Sequence, residues 1–191
     1  MKKILTLALL VITIAAQAQQ QAGDLSIQFS GNYVSSKTTF NGVEEKDFQG
    51  NIYLKIGKFF TQNIEMGLKP NVFFFGEAVP IKANDPSKTE NKLRANLGLG
   101  LYGTYSFLTA DAKFMPYGGV EINYLPIGKY STMNLGPYAG LKYFITERIN
   151  LDTNVNYLIN LANSYPSFDD YVVSPLFQLN IGIGVIIGKT E

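Results

Sequence analysis

Apolar and polar residues alternate with a period of two along most of the chain. The stretch LFQLNIGIGVIIG, residues 176–188, shows this most clearly. One face of this stretch carries large apolar side chains: Phe177, Leu179, Ile181, Ile183, Val185 and Ile187. From Gln178 onward the other face carries amides and glycines, with Ile186 as the only large exception. A period of two predicts a β-strand whose two faces meet different surroundings.

Seven further segments repeat this alternation, and no convincing helical stripe follows residue 24. The eight predicted strands span residues 25–35, 48–60, 63–75, 92–107, 114–125, 133–145, 148–160 and 176–188. Each has about the ten residues that a tilted strand needs to cross a bilayer, whereas globular strands typically have five or six.

The connections between these segments alternate in length. Short turns are expected at residues 61–62, 108–113 and 146–147, and longer polar loops at 36–47, 76–91, 126–132 and 161–174. Short turns at one rim and long loops at the other are typical of bacterial outer-membrane barrels. We therefore predict an all-β fold, an eight-stranded antiparallel up-and-down transmembrane β-barrel, with extracellular long loops and periplasmic termini.

The amino terminus predicts export. Lys2 and Lys3 precede an apolar run from Ile4 to Ala15, and Ala16-Gln17-Ala18 is a small-x-small cleavage site. The run is too short for a comfortable membrane-spanning helix. We expect a signal peptide at residues 1–18 and a mature outer-membrane barrel domain at residues 19–191. The sequence contains no cysteine, which excludes both a lipid-anchored lipoprotein and a disulfide scaffold.

The composition agrees with a barrel in lipid. Charged residues make up 16% of the chain, below the quarter or so that is usual for soluble domains. The net charge of +1 gives no basic excess for nucleic acid. We expect the apolar face to meet lipid, and the amide and glycine face to line a lumen that side chains fill. Aromatic residues near the strand ends suit two interfacial girdles: Phe60, Phe107, Phe114 and Tyr143 on the periplasmic rim, and Tyr33, Tyr124, Tyr157 and Phe177 on the outer rim.

The signal peptide, the eight strands and junctions such as YFITERINLDTNVNY (residues 143–157) resemble small OmpA/OmpX-type, porin-like outer-membrane β-barrel proteins of Gram-negative bacteria. The resemblance covers essentially the whole mature chain. It implies a monomer surrounded by outer-membrane lipid and lipopolysaccharide, and a transient partner in the barrel-assembly machinery. The family's carboxy-terminal assembly signal matches Asn180, Gly182, Val185 and Ile187, although Lys189-Thr190-Glu191 follow in place of a terminal aromatic.

Four classes of function are compatible with export, and the residues favour the first. This class is a non-enzymatic barrel that supports envelope integrity or displays its loops to surface partners. The second class is an outer-membrane lipid-modifying enzyme, which would normally use histidine as its general base. The chain contains no histidine, so the serines at 106, 131, 164 and 174 lack such a base to activate their hydroxyl groups. A catalytic pair of carboxylates is the remaining enzymatic option. A pore is limited to a small gated leak by inward aromatic residues: Tyr53, Phe73, Phe75, Tyr102, Tyr138 and Phe144. A soluble, lipocalin-like barrel would need more charge on its outer face.

Three other patterns are interpreted as structural or electrostatic, and no cofactor or metal is expected. Gly98-x-Gly100-x-x-Gly103 matches a dinucleotide fingerprint but lies within a strand, so we interpret these glycines as small lumen residues. The acidic loop residues Glu44, Glu45, Asp47, Asp169 and Asp170 lack the spacing of a calcium loop. The loop lysines Lys82, Lys88 and Lys92 are candidates for contact with lipid phosphates.

Seven charged residues fall on the predicted inward face, and they are the candidate site. They are Lys55, Glu65, Lys69, Arg94, Glu121, Lys142 and Asp152. Because an unpaired charge in a confined space is costly, we predict that they pair across the lumen into a network that closes the channel. The alternative is that ordered waters solvate each charge separately.

Overall fold

The computed structural model describes residues 20–40, 43–82, 85–107, 113–127, 130–163 and 176–188. Eight antiparallel strands form a closed barrel in which each strand pairs with its neighbours in the sequence. They are β1 (Leu25–Phe40), β2 (Val43–Phe59), β3 (Ile64–Lys82), β4 (Asp85–Ser106), β5 (Phe114–Ile127), β6 (Tyr130–Phe144), β7 (Ile149–Asn163) and β8 (Leu176–Ile187). Within these ranges, no helix is long and apolar enough to cross a membrane.

The predicted strand order and up-and-down topology are confirmed. The barrel closes where β1 pairs with β8, from Leu25 opposite Ile187 to Gly31 opposite Ile181. Short connections lie at residues 60–63 and 145–148, at the same end of the barrel as the start of β1 and the end of β8. We call this the short-turn end and the opposite rim the long-loop end. The expected turn at 108–113 lies outside the described residues except for Lys113.

The expected loops at 36–47, 76–91 and 126–132 are wrong in part, because most of their residues belong to strands. The β1–β2 ladder continues to Phe40 opposite Val43, and the β5–β6 ladder to Ile127 opposite Tyr130. The backbone hydrogen bonds of a ladder do not require one apolar face, so a strand can outlast the alternation. The alternation therefore marks where the apolar surface ends, and the strands continue beyond it. In the expected loop 161–174, β7 extends to Asn163 and the remainder lies outside the described residues.

The two faces of the wall differ as the alternation predicts. On β8, Phe177, Ile181 and the other odd-numbered residues are exposed, whereas Asn180 is fully buried in the lumen. The residues of both expected aromatic girdles lie on the outward face, with Tyr143 half-buried and the others exposed. Rings pair across strands at each end, with centroids 4.9 Å apart for Phe114 and Tyr143 and 6.1 Å for Tyr157 and Phe177.

An apolar cluster fills the lumen at the short-turn end. It consists of Phe59, Met115, Phe144 and Ile186, each between 0% and 2% exposed. Ile186, the exception on the amide face of β8, is thus part of a local core. We call this group the apolar plug. Of its members, Phe144 was expected as a lumen-filling aromatic residue, and Ile186 was placed on the lumen-facing side of β8.

Glycines on the inward face make room for three buried tyrosines. A Cβ added at Gly57 would lie 2.2 Å from the hydroxyl oxygen of Tyr102, and the same holds at Gly140 for Tyr117 at 2.5 Å. Gly119 faces the ring of Tyr138 in the same way. Any side chain at these positions would collide with a ring or its hydroxyl group. Gly140 and Gly119 lie directly opposite Tyr117 and Tyr138 on the neighbouring strand, whereas Tyr102 on β4 reaches Gly57 on β2 across β3.

The glycine fingerprint on β4 is divided between the two faces. Gly98 and Gly100 point into the lumen, where added Cβ atoms would meet the side chains of Asn71 and Asn123. Gly103 is odd-numbered, as are the outward-facing residues Leu101 and Tyr105, so its position has outward parity. The nearest atom to its added Cβ belongs to Met66, at 4.0 Å. The interpretation of all three glycines as lumen residues is therefore wrong for Gly103, because an odd step of three residues changes the face.

Candidate functional site: the lumen charge network

Six of the seven expected lumen charges are buried. They are 1% to 5% exposed and come from β2, β3, β5, β6 and β7: Lys55, Glu65, Lys69, Glu121, Lys142 and Asp152. We call these six residues the lumen charge network. Three lysines face three carboxylates, so the buried set is neutral when all six are ionised.

Arg94 does not belong to this set, and its expected place in the lumen is wrong. It has inward parity on β4 but is exposed, as are its neighbours Leu93 and Ala95. Among the described residues, the register between β4 and β5 starts at Leu99 opposite Tyr124, so the part of β4 that carries Arg94 is paired there with β3 alone. Inward parity leads to burial only where the wall is closed on both sides.

Glu65 lies opposite Phe59 of the apolar plug in the β2–β3 register, and its carboxylate accepts three hydrogen bonds. The hydroxyl groups of Ser26 and Tyr102 donate to Oε1, the latter at 2.5 Å. Lys142 Nζ donates to Oε2 at 3.1 Å. Both oxygens are therefore occupied, and the Lys142 ammonium also lies 5.4 Å from the Tyr117 ring centroid and 5.7 Å from that of Phe59.

The carboxylate of Glu121 is bound through one oxygen. Its Oε1 accepts from Lys69 Nζ at 2.7 Å, Asn156 Nδ2 at 2.8 Å and Asn123 Nδ2 at 3.0 Å. The Lys69 ammonium also lies 4.2 Å from the centroid of the Tyr53 ring. Within the described residues, Glu121 Oε2 is buried without a hydrogen-bond partner. The Lys69–Glu121 ion pair has a shorter N–O distance, 2.7 Å, than the Lys142–Glu65 pair at 3.1 Å.

The third carboxylate, Asp152, is bound by neutral donors. Tyr117 donates to Oδ2 at 2.7 Å, and Asn154 Nδ2 donates to Oδ1 at the same distance. Lys142 lies directly opposite Asp152 in the β6–β7 register, yet its Nζ reaches Glu65 instead. The partner of a lumen charge is thus determined by reach across the barrel as well as by strand neighbours.

A ladder of asparagine amides joins the sites of Asp152 and Glu121. Asn180 Nδ2 donates to Asn154 Oδ1 at 3.0 Å and to Asn156 Oδ1 at 3.2 Å. Asn32 Nδ2 in turn donates to Asn180 Oδ1 at 2.7 Å. Because Asn32 is on β1 and Asn180 on β8, the ladder also bridges the strand pair that closes the barrel. We call Asn32, Asn154, Asn156 and Asn180 the amide ladder.

Lys55 is enclosed by aromatic rings. Its ammonium lies 4.2 Å from the ring centroid of Tyr138, 5.1 Å from that of Tyr102 and 5.8 Å from that of Tyr53. In the described part of the lumen, Lys55 has no carboxylate at ion-pair distance, in contrast to Lys69 and Lys142. Cation–π contacts strengthen when desolvated, so the three rings stabilise a charge that no direct ion pair neutralises.

The observed contacts combine the predicted ion pairs with neutral hydrogen-bonding residues that were not predicted as part of the network. Lys69–Glu121 and Lys142–Glu65 are direct pairs across the lumen, as expected for a network. Tyrosines and asparagines supply the remaining links. Tyr53, Tyr102 and Tyr138 were expected inside the lumen only as aromatic filling, and Asn180 only as an amide that lines it and as part of the assembly signal. The segment INLDTNVN of β7 could have revealed the asparagines, because Asn150, Asp152, Asn154 and Asn156 occupy successive inward positions.

The residues of the predicted assembly signal are divided between the two faces of β8. Asn180 and Gly182 point inward, and a Cβ added at Gly182 would collide with the Ser30 side chain. Val185 and Ile187 are exposed on the outward face. Recognition of these positions by the assembly machinery stays a prediction, whereas Asn180 and Gly182 also have packing roles inside the barrel.

The serines and carboxylates considered as catalytic groups are not brought together in the part of the lumen that the structure describes. Ser106 is buried, and its Oγ has no hydrogen-bond partner among the described residues. Ser131 is half-buried, and Ser164 and Ser174 lie outside the described residues. Each network carboxylate is held by its own set of donors, and no hydrogen bond joins two carboxylates in the described lumen. A shared-proton carboxylate dyad is not formed in this arrangement.

Comparisons with known proteins agree with this architecture. No family model matches the chain. An uncharacterised protein of Haemophilus influenzae is 28% identical over 173 residues, which cover 82% of this chain and 89% of that protein.

Solved outer-membrane proteins have a similar fold. OprG of Pseudomonas aeruginosa superposes with a TM-score of 0.56 at 18% identity, covering 91% of this chain and 100% of that one. The N-terminal β-barrel domain of Pseudomonas aeruginosa OprF gives 0.50 at 18% identity, with 88% and 100% covered. E. coli outer membrane protein W gives 0.50 at 15% identity, with 87% and 99% covered. The chain therefore has the closed eight-stranded β-barrel fold of small outer-membrane proteins.

Proposed function

We propose that the protein is a non-enzymatic integral outer-membrane β-barrel with a side-chain-filled lumen, which contributes to envelope integrity or presents its long-loop end to surface partners. The observation that carries this proposal is that apolar side chains face outward and polar side chains face inward, the reverse of a water-soluble protein. Large apolar side chains are exposed around the outside of the barrel, and lysines, carboxylates and amides are buried inside. Such a continuous apolar surface is incompatible with a monomer in water and suits a hydrocarbon solvent.

The proposed orientation places the long-loop end outside the cell and both termini in the periplasm. Leu25 pairs with Ile187, so the chain enters and leaves the barrel at the short-turn end. A signal peptide at residues 1–18 delivers the mature chain to that side of the outer membrane. Lipopolysaccharide then surrounds the long-loop end, and the barrel-assembly machinery acts on the protein as it folds.

The proposal of a closed lumen rests on two successive barriers. The apolar plug fills the short-turn end, and the lumen charge network adjoins it, with Glu65 opposite Phe59 and Lys142 opposite Met115 in the strand register. A narrow gated pore, the alternative function, would require both barriers to move. A lipid-modifying enzyme finds less support, because Ser106 is buried inside the wall and the chain contains no histidine.

Heat modifiability and conductance test this function together. The mature protein should require detergent for solubility and should migrate differently on a detergent gel before and after boiling. In planar bilayers, the wild-type protein should show at most small and infrequent conductance steps. Recovery as a detergent-free soluble monomer would contradict membrane insertion, and large steady conductance would favour the pore.

Protease treatment of intact cells tests the orientation. Cleavage is expected within residues 76–91 or 161–174, whereas the short turns at Thr61 and Thr146 should be protected until the outer membrane is opened. Cleavage at either short turn in intact cells would show that the barrel is inverted.

A further inference from the structure

Among the side chains that the structure describes, the outward face of the barrel carries one charged residue, Lys58. Among the described side chains with outward parity, every residue except Lys58 is apolar, aromatic, small or an uncharged polar residue. Lys58 is exposed and is the last outward-facing residue of β2 at the short-turn end. A lysine on a surface of this kind is tolerated near the edge of the apolar band, where its stem can lie along the protein and its ammonium can reach the interface.

The neighbours of Lys58 offer its ammonium no counterion. Leu25 and Met66 lie opposite Lys58 on the two adjacent strands, and both are exposed apolar residues. Ile56 and Phe60, two positions away along the chain, share the same face. In the part of the chain that the structure describes, Lys58 makes no ion pair. An apolar surface with one uncompensated cation at its edge is complementary to a lipid, with acyl chains beside the wall and an anionic headgroup at the ammonium.

Lys113 provides a contrast at the same end of the barrel. It directly precedes β5, is half-buried, and its ammonium lies 5.1 Å from the centroid of the Tyr143 ring. The charge of Lys113 is thus partly stabilised by the protein itself. Lys58 has no such ring contact among the described residues, which leaves its charge available to an external anion.

We infer that Lys58 binds the phosphate of an anionic phospholipid in the leaflet at the short-turn end, with the acyl chains of that lipid packed against Leu25, Ile56 and Met66. This inference rests on the proposed function, because it requires the barrel to lie in a bilayer. The occupant is a phospholipid and not lipopolysaccharide, since the proposed orientation places lipopolysaccharide at the other end. The site makes the wall around β1, β2 and β3 selective for lipid charge.

Lipid titration monitored by native mass spectrometry tests the site. Full-length mature protein in a non-ionic detergent is titrated with palmitoyl-oleoyl phosphatidylglycerol and, separately, with the zwitterionic phosphatidylcholine that has the same chains. The wild-type protein should bind the anionic lipid more tightly. Lys58→Gln should weaken the first phosphatidylglycerol binding step by about fivefold, as expected for one lysine near an anionic surface. Lys58→Arg should retain the binding, because the charge is kept.

The control is Lys113→Gln, which removes the same charge at the same end. It should leave the first binding step unchanged if the site is at Lys58. Equal weakening by both glutamine variants would show a general effect of net charge and would overturn the inference, as would wild-type binding by Lys58→Gln. Reconstitution into vesicles is measured in parallel. Failure of the wild-type protein to insert would overturn the proposed function itself, a result distinct from insertion without lipid preference.

Discussion

Replacement of Glu121 by alanine tests whether the lumen charges act as a network. The substitution removes the oxygen that accepts hydrogen bonds from Lys69, Asn123 and Asn156 at 2.7 to 3.0 Å. Lys69 is 1% exposed, so its ammonium is left buried without the carboxylate that neutralises it. We expect the free energy of unfolding to fall by about 3 kcal/mol or more, the usual cost when one partner of a buried ion pair is removed.

The size of this effect has a structural limit. The Tyr53 ring stays 4.2 Å from the Lys69 ammonium and offsets part of the lost ion pair by about 1 to 2 kcal/mol. The amides of Asn123 and Asn156 lose acceptors at about 1 kcal/mol each or more. These opposing contributions roughly balance, so the value of about 3 kcal/mol for the broken ion pair remains the expectation.

The measurement is urea unfolding of the detergent-folded barrel, together with ion conductance in planar bilayers. Glu121→Ala should lower the unfolding midpoint and raise the frequency of conducting events. Glu147→Ala is the matched control, because Glu147 is an exposed carboxylate in the turn at 145–148. The double variant Glu121→Ala with Lys69→Met should recover part of the lost stability, since it removes both charges of the pair. If Glu121→Ala matches the wild type in both measurements, the charges are separately hydrated and the network account is refuted.

Three further substitutions and one outward-facing control, Gly103→Ala, test the packing inside the barrel. Gly57→Ala should lower stability by about 1 to 3 kcal/mol, because its Cβ would lie 2.2 Å from the Tyr102 hydroxyl, whereas Gly103→Ala, with its nearest neighbour at 4.0 Å, should be nearly neutral in the same urea titration. Phe144→Ala opens a cavity in the apolar plug and should cost about 3 to 5 kcal/mol, and an unchanged midpoint would show that the plug adds no stability. Asn180→Leu breaks the amide ladder and should speed hydrogen exchange of the β1 and β8 backbone amides more than those of β4 and β5; uniform exchange would contradict a role in closing the barrel.

The two faces of the barrel wall were predictable because the alternation of apolar and polar residues follows the two environments, the outside of the barrel and the lumen. On β8 every odd-numbered residue from Phe177 to Ile187 is exposed, as the sequence pattern indicates. The ends of the strands were not predictable in this way. The alternation ends in the sequence before the strands do, because the backbone ladder, which continues to Phe40 opposite Val43, does not require an apolar face.

The lumen was predictable in composition but not in its pairing. Parity placed Lys142 and Glu65 inside the barrel, yet it gave no means to join two residues that are 77 positions apart in the sequence. Their contact depends on strand tilt and register around the whole barrel. For Arg94, the alternation predicted the wrong environment. Its exposure depends on where the β4–β5 ladder starts, and the sequence pattern of β4 does not show how far β5 extends beside it.

The sequence separation of the lumen ion pairs has a consequence for how the barrel forms in a membrane. Lys69 and Glu121 are 52 residues apart, and Lys142 and Glu65 are 77 apart, so neither pair lies within one β-hairpin. A hairpin that entered hydrocarbon alone would bring in buried charges whose partners were still elsewhere. Partly inserted intermediates are therefore penalised until opposite sides of the wall meet. This pairing favours an insertion in which the strands assemble together and the lumen becomes neutral only as the barrel closes.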